Sequence, residues 1–380
     1  MREYLLVFLM AGIASYLLCV FARELAIRSG AVARVRDRDV HATPIPYFGG
    51  VAMLGGLGAG LLVARHLPFL STSQPIVFHD AGIVLLAGAM ICAVGVVDDL
   101  IELDALTKLG GQIVAAGFLV LNDVRLWSLN LPGVGQFSID PTQASLLTML
   151  LVISTMNAVN FVDGLDGLAG GVVLIGAVAF FLFSYKLADA NGETLAITAA
   201  MLCAALGGAC IGFLPHNFFP ARIFMGDSGS MLLGLVLSGS ALTLTGQFAT
   251  VSVKQGGGET AWFLIALPLL LPISILIVPL ADLVMAVVRR TRRGQAFYQP
   301  DKEHLHHRLL EIGHSQRRAV LIMWLWAGLI AFGGVLITLY SGPLTWALLG
   351  VVTLTTVALT FILPRVQRPG GARAEDHLVR

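Results

Sequence analysis

Apolar runs long enough to cross a membrane recur along the whole chain, separated by short polar segments. A transmembrane helix needs about 20 mostly apolar residues. Eleven segments approach this length, of which the fourth is short and the ninth contains Pro268, Pro272 and Pro279. They lie near residues 4–22, 47–65, 80–97, 108–122, 142–159, 170–187, 194–213, 230–248, 260–288, 318–339 and 344–363. The pattern predicts an all-α polytopic membrane protein with about eleven transmembrane helices.

The composition favours the same class. Of the 380 residues, 57% are hydrophobic and 12% are charged, whereas soluble domains carry about 25% charged residues. The mean hydropathy of +0.84 agrees with a membrane protein. A net charge of +1 gives no indication of a nucleic-acid partner. All four cysteines fall inside apolar runs without metal-site spacing, so we expect them to pack and to form no disulfide framework.

The chain is interpreted as one transmembrane domain over residues 1–365, followed by a cytoplasmic tail over residues 366–380. The first apolar run, Leu5–Phe21, lacks a clear small-x-small cleavage site, and basic residues follow it. It is therefore interpreted as the first span and not as a cleaved signal peptide.

The distribution of Lys and Arg predicts the orientation of the spans. If the N-terminus lies outside, 19 of the 24 basic residues fall in segments on the cytoplasmic side. Basic residues are concentrated in cytoplasmic loops, so we expect the N-terminus outside and the C-terminus in the cytoplasm. The predicted location is the cytoplasmic membrane.

Polar side chains that are costly near a bilayer cluster at the ends of three predicted spans. They are Asp98 and Asp99 after the third span, Asn157, Asn160, Asp163 and Asp166 around the end of the fifth, and Asp227 before the eighth. The orientation, derived from basic residues alone, places all three clusters on the cytoplasmic side. The pattern therefore predicts one polar site at the cytoplasmic face of the protein.

The adjacent carboxylates of Asp98 and Asp99 repel each other unless a cation neutralises them. Lys108 begins the next span and is a candidate for that cation. The alternative is a pair of carboxylates at a helix end, solvated by water among the lipid headgroups. Asp98, Asp99 and Lys108 are therefore candidate members of the predicted site.

The oxygens of the second and third clusters suit Mg²⁺ or hydrogen bonds to a nucleobase. We assign Asp227, Asp98 and Asn160 to a metal ion, and Asn157, Asp163 and Asp166 to substrate binding. The alternatives are a polar loop with turn glycines for the second cluster and an ordinary helix N-cap for Asp227.

A loop between the ninth and tenth spans is strongly electropositive, because residues 302–308 carry one Lys, one Arg and three His. Its candidate ligands are His304, His306, His307 and Arg308. Zinc is an alternative, since pairs of His bind it, but no Cys accompanies them and the cations would repel a metal. Phosphate binding fits better. The arginine-rich tract at 289–293 is expected either to bind anionic lipid headgroups or only to set the topology.

Carboxylates for a divalent cation and cations for phosphates, at one membrane face, predict phosphoryl transfer to or from a lipid phosphate. A secondary transporter is the rival class, since it also has many spans and carboxylates inside the membrane. Transporters hold their site near the bilayer midplane, whereas these acidic residues lie at span ends.

The motifs at these positions resemble, over roughly residues 1–340, those of the polyprenyl-phosphate N-acetylhexosamine-1-phosphate transferases of glycosyltransferase family 4. That family includes the phospho-MurNAc-pentapeptide translocase. The matching stretches are residues 41–50, 95–100, 108–112, 157–167, 219–230 and 304–308.

The resemblance implies that a polyprenyl phosphate attacks the β-phosphorus of a UDP-N-acetylhexosamine and that UMP leaves. It implies a requirement for Mg²⁺, with Mn²⁺ able to substitute. Membrane lipids are expected partners, and a homodimer is an open alternative. The short His-x-His-His form of the loop is more similar to the GlcNAc-1-phosphate branch than to the peptidoglycan-precursor branch. The hexosamine, the polyprenol length and the oligomeric state stay open.

The resemblance also implies residue roles. Asp227 resembles the principal Mg²⁺ ligand, and Asp98 the residue that deprotonates the lipid phosphate or holds the metal. Asp99 and Lys108 would support the phosphates, so the resemblance makes Asp98, Asp99 and Lys108 the candidate catalytic residues. Positions around the uridine are Asp163, Asp166, Asn217 and Phe224, and the loop that separates sugar-specificity branches carries His304, His306 and His307.

Overall fold

A computed structural model describes residues 1–33, 44–131, 135–191, 194–245, 291, 313–340 and 342–361. Its helices are α1 (Arg2–Ser29), α2 (Gly49–Ala64), α3 (Pro68–Ser71), α4 (Pro75–Ile101), α5 (Ala105–Leu121), α6 (Pro141–Val162), α7 (Leu168–Asn191), α8 (Thr194–Asn217), α9 (Gly226–Thr245), α10 (Gln316–Leu339) and α11 (Pro343–Phe361). One antiparallel hairpin joins β1 (Ser128–Leu131) to β2 (Gly135–Ser138). The described chain is otherwise helical or loop, which confirms the predicted class of fold.

Eight of the described helices are long and apolar enough to cross a membrane, and α2 and α5 are shorter apolar helices. The predicted spans coincide with α1, α2 and α4 to α11, whereas the predicted span 260–288 lies outside the described residues, as does the tail. The chain is therefore a multi-pass membrane protein. The short hairpin between α5 and α6 was not predicted, because it lies between spans and carries no strong strand pattern.

Two helix boundaries differ from the sequence prediction in a way that matters for the site. Helix α4 runs on to Ile101, so Asp98 and Asp99 lie inside its last turn. Helix α9 begins at Gly226, which places Asp227 in its first turn. Hydropathy does not detect these turns, because the polar residues at helix ends lower the local average even where the backbone remains helical.

The centre of the helix bundle is α9, which packs against α2, α4, α6 and α8. In the most apolar 18-residue stretch of each helix, 94% of the residues in α9 and 89% of those in α8 are buried, against 11% in α11. Small residues permit this close packing. A Cβ atom on Gly95 of α4 would lie 2.3 Å from the backbone of Ser228 in α9. The start of α9 is therefore held directly against the end of α4.

Consecutive spans alternate in direction, so helix ends from distant parts of the chain share one end of the bundle. The C-terminal ends of α4, α6 and α8 lie there with the N-terminal ends of α5 and α9, as the side-chain contacts between them show. All three predicted carboxylate clusters are at this end. The hairpin, which follows the C-terminal end of α5, lies at the opposite end.

Candidate active site

The ammonium group of Lys108 lies between two carboxylates from different helices. Its Nζ atom is 2.9 Å from Oδ2 of Asp98 and also pairs with Oδ2 of Asp227. The three side chains are between 11% and 26% exposed, so water screens them less than it screens a surface pair. The ends of α4, α5 and α9 thus bring two carboxylates and one cation to a single point. We name Asp98, Lys108 and Asp227 the carboxylate centre.

Local structure at the start of α5 places Lys108 at this point. Asp104 caps the helix by accepting hydrogen bonds from the backbone N–H groups of Leu106 and Thr107 at 3.0 and 3.1 Å. Hydrogen bonds from Thr107 lower the pKa of Asp104. The cap residue lies four residues before Lys108, which is therefore about one turn inside α5.

The second oxygen of Asp227 is bound by α6. Asn160 donates from Nδ2 to Oδ1 of Asp227 at 2.7 Å and to the hydroxyl of Ser230 at 2.9 Å. Both carboxylate oxygens of Asp227 therefore have a partner, one cationic and one neutral. Asn160, which the sequence analysis assigned to the metal, lies beside the centre and contacts Asp227 through its amide nitrogen.

Asp99 has a different environment from its neighbour Asp98. Its Oδ1 accepts the backbone N–H of Asp227 at 2.8 Å, and its Oδ2 accepts the hydroxyl of Ser228 at 2.8 Å. The first N–H groups of a helix have no partner within the helix, so Asp99 caps α9 from another helix. Gly226 adopts φ +69°, and a Cβ atom there would lie 2.3 Å from the Asp99 carboxylate. This geometry gives Asp99 a positioning role toward Asp227.

Two buried polar side chains tie together the loops that precede α7 and α9. The Oδ1 atom of Asn217 accepts the N–H of Gly167 at 2.9 Å, and its Nδ2 donates to the carbonyl of Ile223 at 3.0 Å. The Oδ2 atom of Asp166 accepts the N–H of Ala221 at 2.9 Å. We name Asp166 and Asn217 the loop clamp. Both residues were predicted to surround a uridine, and both bind main-chain groups in this structure.

Asn157 faces α5 in this structure. Its Nδ2 donates to Oε1 of Gln112 at 2.8 Å, and Nε2 of Gln112 donates back to Oδ1 of Asn157 at 3.3 Å. Gln112 is buried, while Asn157 retains exposed surface. We name these two side chains the amide pair. It lies one helical turn from Lys108 along α5.

Asp163 lies just beyond the end of α6 and is partly buried. Burial, and then the negative charges of Asp227, Asp99 and Asp166, raise the pKa of Asp163 to about 8. The negative charges of Asp227, Asp99 and Asp166 therefore act on Asp163, although burial contributes most to the raised pKa. An environment with this excess of negative charge attracts a cation.

Phe224 was predicted near the uridine and packs against Tyr47, with ring centroids 6.1 Å apart and an angle of 44° between the planes. The backbone N–H of Phe224 donates to the carbonyl of Pro46 at 2.9 Å, and its carbonyl accepts the N–H of Gly49 at 3.0 Å. The start of α2 therefore holds the loop that leads into α9. The ring of Phe224 is partly buried.

The predicted phosphate-binding loop lies outside the described residues. This applies to His304, His306, His307 and Arg308, and to the arginine-rich tract except for Thr291. Their predicted roles stay predictions.

Sequence reasoning assigned no role to Gln112 or Tyr47 and gave Ser230 only a capping role at the start of the eighth span, whereas the structure places all three at the site. A signal was present for Gln112, because it lies four residues after Lys108 and therefore on the same face of a helix. Ser230 follows Asp227 in the same way, three residues later. Tyr47 had no such signal, since its neighbour Phe224 is far away in the sequence.

Comparison with known proteins identifies the family of the chain. The profile of the family described as Glycosyl transferase family 4 matches residues 81–245, a range that contains the carboxylate centre, the loop clamp and the amide pair. The decaprenyl-phosphate N-acetylglucosaminephosphotransferase of Mycolicibacterium smegmatis is 45% identical over 383 residues, covering 98% of this chain and 91% of that protein.

Two further relatives support the assignment. The protein of the same name from Mycobacterium tuberculosis is 45% identical over 378 residues, covering 97% of this chain and 90% of its own length. The undecaprenyl-phosphate alpha-N-acetylglucosaminyl 1-phosphate transferase of Salmonella typhimurium is 28% identical over 342 residues, covering 88% of this chain and 83% of that protein. The chain therefore belongs to glycosyl transferase family 4, among the polyprenyl-phosphate N-acetylhexosamine-1-phosphate transferases.

Proposed function

We propose that this protein transfers N-acetylglucosamine 1-phosphate from UDP-N-acetylglucosamine to a polyprenyl phosphate. The names of the similar proteins support the acceptor and the sugar. The observation that carries the proposal is the carboxylate centre, where Lys108 lies between Asp98 and Asp227 at helix ends. Acidic and basic groups at such a position suit a phosphate that is anchored in a bilayer.

The reaction exchanges one phosphorus–oxygen bond for another. An oxygen of the lipid phosphate attacks the β-phosphorus of the nucleotide sugar, the bond to the α-phosphate breaks, and UMP leaves with the electron pair. The second pKa of a phosphate monoester is about 6, so the lipid phosphate is mostly a dianion at neutral pH. The main task of the site is therefore to neutralise and orient negative charge.

We propose that Asp227 and Asp98 hold a magnesium ion. Mg²⁺ usually binds one or two carboxylates together with substrate phosphates and water. In the described ranges, no three His, Cys, Asp or Glu side chains form a metal-holding group by themselves. Asp98 and Asp227 already share the ammonium of Lys108. The same two carboxylates would suit a magnesium ion that enters the site together with a diphosphate. When bound, the ion would neutralise charge on the transferred phosphate.

The protein's own residues complete the site in this proposal. Asn160 fixes the orientation of the Asp227 carboxylate, and Asp99 fixes the start of α9. The ammonium of Lys108 is free to move from the carboxylates to the phosphates of the substrates, since both are anionic oxygens. The dianionic acceptor and the diphosphate repel each other, and Lys108 lowers that repulsion.

The proposed location of the site is the cytoplasmic face of the cell membrane, with access for the lipid phosphate from the side. The positive-inside bias supports this orientation. Single cysteines at Ser29 and Thr72, in a background without the native cysteines, test it. A membrane-impermeant thiol reagent added to intact cells should label the cysteine at position 72 and not that at position 29. The reverse labelling would place the site outside.

Purified protein in lipid nanodiscs, given labelled UDP-sugars and polyprenyl phosphate, tests the reaction. We expect a lipid-linked diphospho-sugar and UMP from UDP-N-acetylglucosamine, and little product from UDP-N-acetylgalactosamine or UDP-MurNAc-pentapeptide. Transfer from UDP-MurNAc-pentapeptide alone would assign the chain to the peptidoglycan branch instead, and the absence of product from every donor would contradict a transferase.

Matched variants connect the reaction to the site. Asp227→Asn should reduce turnover by about a hundredfold to a thousandfold, because a neutral amide cannot bind the proposed ion as the carboxylate does. Asp123→Asn makes the same chemical change at the opposite end of the bundle, where Asn tolerates the positive φ of 64°. It should leave turnover unchanged. Equal loss in both variants would point to misfolding and not to chemistry.

A further inference from the structure

The amide pair uses every hydrogen-bond donor that its two side chains possess. Asn157 donates its two amide hydrogens to Oε1 of Gln112 and to the carbonyl of Ile153, both at 2.8 Å. Gln112 donates to Oδ1 of Asn157 at 3.3 Å and to the sulfur of Met231 at 3.4 Å. A primary amide has two N–H donors. Asn157 therefore has no hydrogen left to offer a substrate unless the pair opens.

The amide pair forms a second polar layer beneath the catalytic one. Lys108 and Gln112 are four residues apart on α5, as Asp227 and Met231 are on α9, and Asn157 lies three residues before Asn160 on α6. Such spacings place side chains on one helix face, about one turn apart. The layer of Gln112, Asn157 and Met231 thus repeats, one turn deeper, the three-helix contact that Lys108, Asn160 and Asp227 make at the surface.

Helix α5 packs against the bundle along one face and leaves the other face exposed. Its buried side chains are Gln112, Ala115, Ala116 and Leu119, whereas Leu106, Val114 and Leu121 are between 60% and 84% exposed. A Cβ atom on Gly111 would lie 2.7 Å from Val94 of α4, whereas Cβ atoms on Gly110 and Gly117 would meet nothing within 4 Å. Lipid tails are as apolar as the exposed side chains, so van der Waals packing and hydrogen bonds, and not a hydrophobic force, set the rotation of the helix. Directional hydrogen bonds between α5 and its neighbours add to the packing at Gly111.

We propose that Gln112 and Asn157 are positioning residues, whose paired amides fix the rotation of α5 against α6 and so hold the Lys108 ammonium at Asp98 and Asp227. The proposal rests on the proposed transferase function for its catalytic consequence. It assigns a role to Gln112, and it gives Asn157 a role other than contact with the substrate.

Gln112→Leu and Asn157→Leu test the proposal, because each removes one amide while keeping a side chain of similar bulk. A displacement of about 1 Å in a catalytic group costs up to a hundredfold in rate. We therefore expect kcat per folded enzyme to fall about tenfold or more in each variant, with little change in KM for the UDP-sugar. The double variant should be no worse than either single variant, since the pair acts as one unit.

The reciprocal exchange Gln112→Asn with Asn157→Gln restores two facing amides and should recover a large part of kcat. A purely structural role for the pair would lower the melting temperature of the single variants and leave kcat per folded enzyme unchanged. Thr155→Val is the matched control, because within the described part of the chain the Thr155 hydroxyl bonds only to the carbonyl of Leu151 in its own helix, at 2.7 Å. It should keep wild-type kcat.

A structural measurement separates this proposal from the function on which it rests. Spin labels at Leu109 of α5 and Phe161 of α6, both exposed, report the distance between the helices by pulsed electron resonance. A single narrow distribution in the unsubstituted protein should broaden in Gln112→Leu and narrow again in the exchange variant, whatever reaction the protein catalyses. An unchanged distribution in Gln112→Leu would overturn the proposal, as would wild-type kcat, while failure of transfer in the unsubstituted protein would overturn only the proposed function.

Discussion

The carboxylate centre and the loop clamp lie at the same end of the bundle and are bonded in opposite ways. In the centre, charged side chains bind one another. In the clamp, Asp166 and Asn217 are only 4% and 2% exposed and bind backbone groups. Paired side chains can exchange a partner for a ligand, whereas a buried backbone group that loses its partner stays unsatisfied. We therefore propose that the carboxylate centre takes part in the reaction and that the loop clamp maintains the shape of the surrounding loops.

Removal of divalent ions should have the largest effect on the centre and almost none on the clamp. We expect EDTA to reduce transfer to background, and Mg²⁺ or Mn²⁺ to restore it, because the proposed ion neutralises the phosphates. The melting temperature should change little, since the clamp contains no predicted metal ligand. Full transfer in excess chelator would contradict the metal site.

Lys108→Met removes the cation of the centre and should reduce turnover by about a hundredfold. Without the ammonium, Asp98 and Asp227 are uncompensated, so Mn²⁺ should bind more tightly in the absence of substrates. Electron paramagnetic resonance of Mn²⁺ measures that affinity directly. Lys186→Met, at an exposed position on the opposite end, is the control. Unchanged Mn²⁺ affinity in Lys108→Met would show that the ion binds elsewhere.

Asn217→Ala should break the clamp and leave the centre's own bonds in place. The N–H of Gly167 and the carbonyl of Ile223 would lose a buried partner, at about 1–3 kcal/mol each in the free energy of unfolding. Thermal unfolding measures the loss, with Asn122→Ala as a control, because Asn122 bonds only within the last turn of α5. An unchanged melting temperature with a raised KM for the UDP-sugar would place Asn217 at the uridine instead.

The smallest expected effect is a dependence of stability on pH through Asp163. Its pKa is raised from 3.8 to about 8 in the folded protein, so the folded state binds the proton more tightly than the unfolded state does. The stabilisation is complete below pH 4 and is lost as the pH rises to 8. Asp163→Asn resembles the protonated form, so in EDTA its melting temperature should increasingly exceed that of the unsubstituted protein over this range. A constant difference would show that Asp163 is not the titrating group.

The membrane spans were predictable because hydropathy is a property of short stretches of sequence. Ten predicted spans coincide with described helices, and even the short fourth span is the helix α5. The ends of the helices were less predictable. Asp98 and Asp99 belong to the last turn of α4. Charged residues lower the average hydropathy there, although the backbone is still helical.

Candidate site residues were predictable as a group but not in their individual contacts. Carboxylates and amides near a bilayer are costly, so the presence of Asp98, Asp163 and Asp227 at span ends indicated a site. Sequence reasoning counted both Asp98 and Asp99 among the catalytic candidates, although the structure places Asp99 at the cap of α9 and Asp98 beside Lys108. Adjacent residues on a helix point in different directions, so neighbours in sequence meet different partners.

The sequence by itself determined the class of protein, the approximate position of its spans and the end of the bundle at which its acidic residues gather. Those features follow from local hydropathy and from the alternation of successive spans. Only the tertiary structure decided which polar groups meet. Asp99 reaches Asp227 across 128 positions, and Gln112 reaches Asn157 across 45. Such pairs depend on how helices rotate and pack against one another, and no local pattern of residues records that rotation.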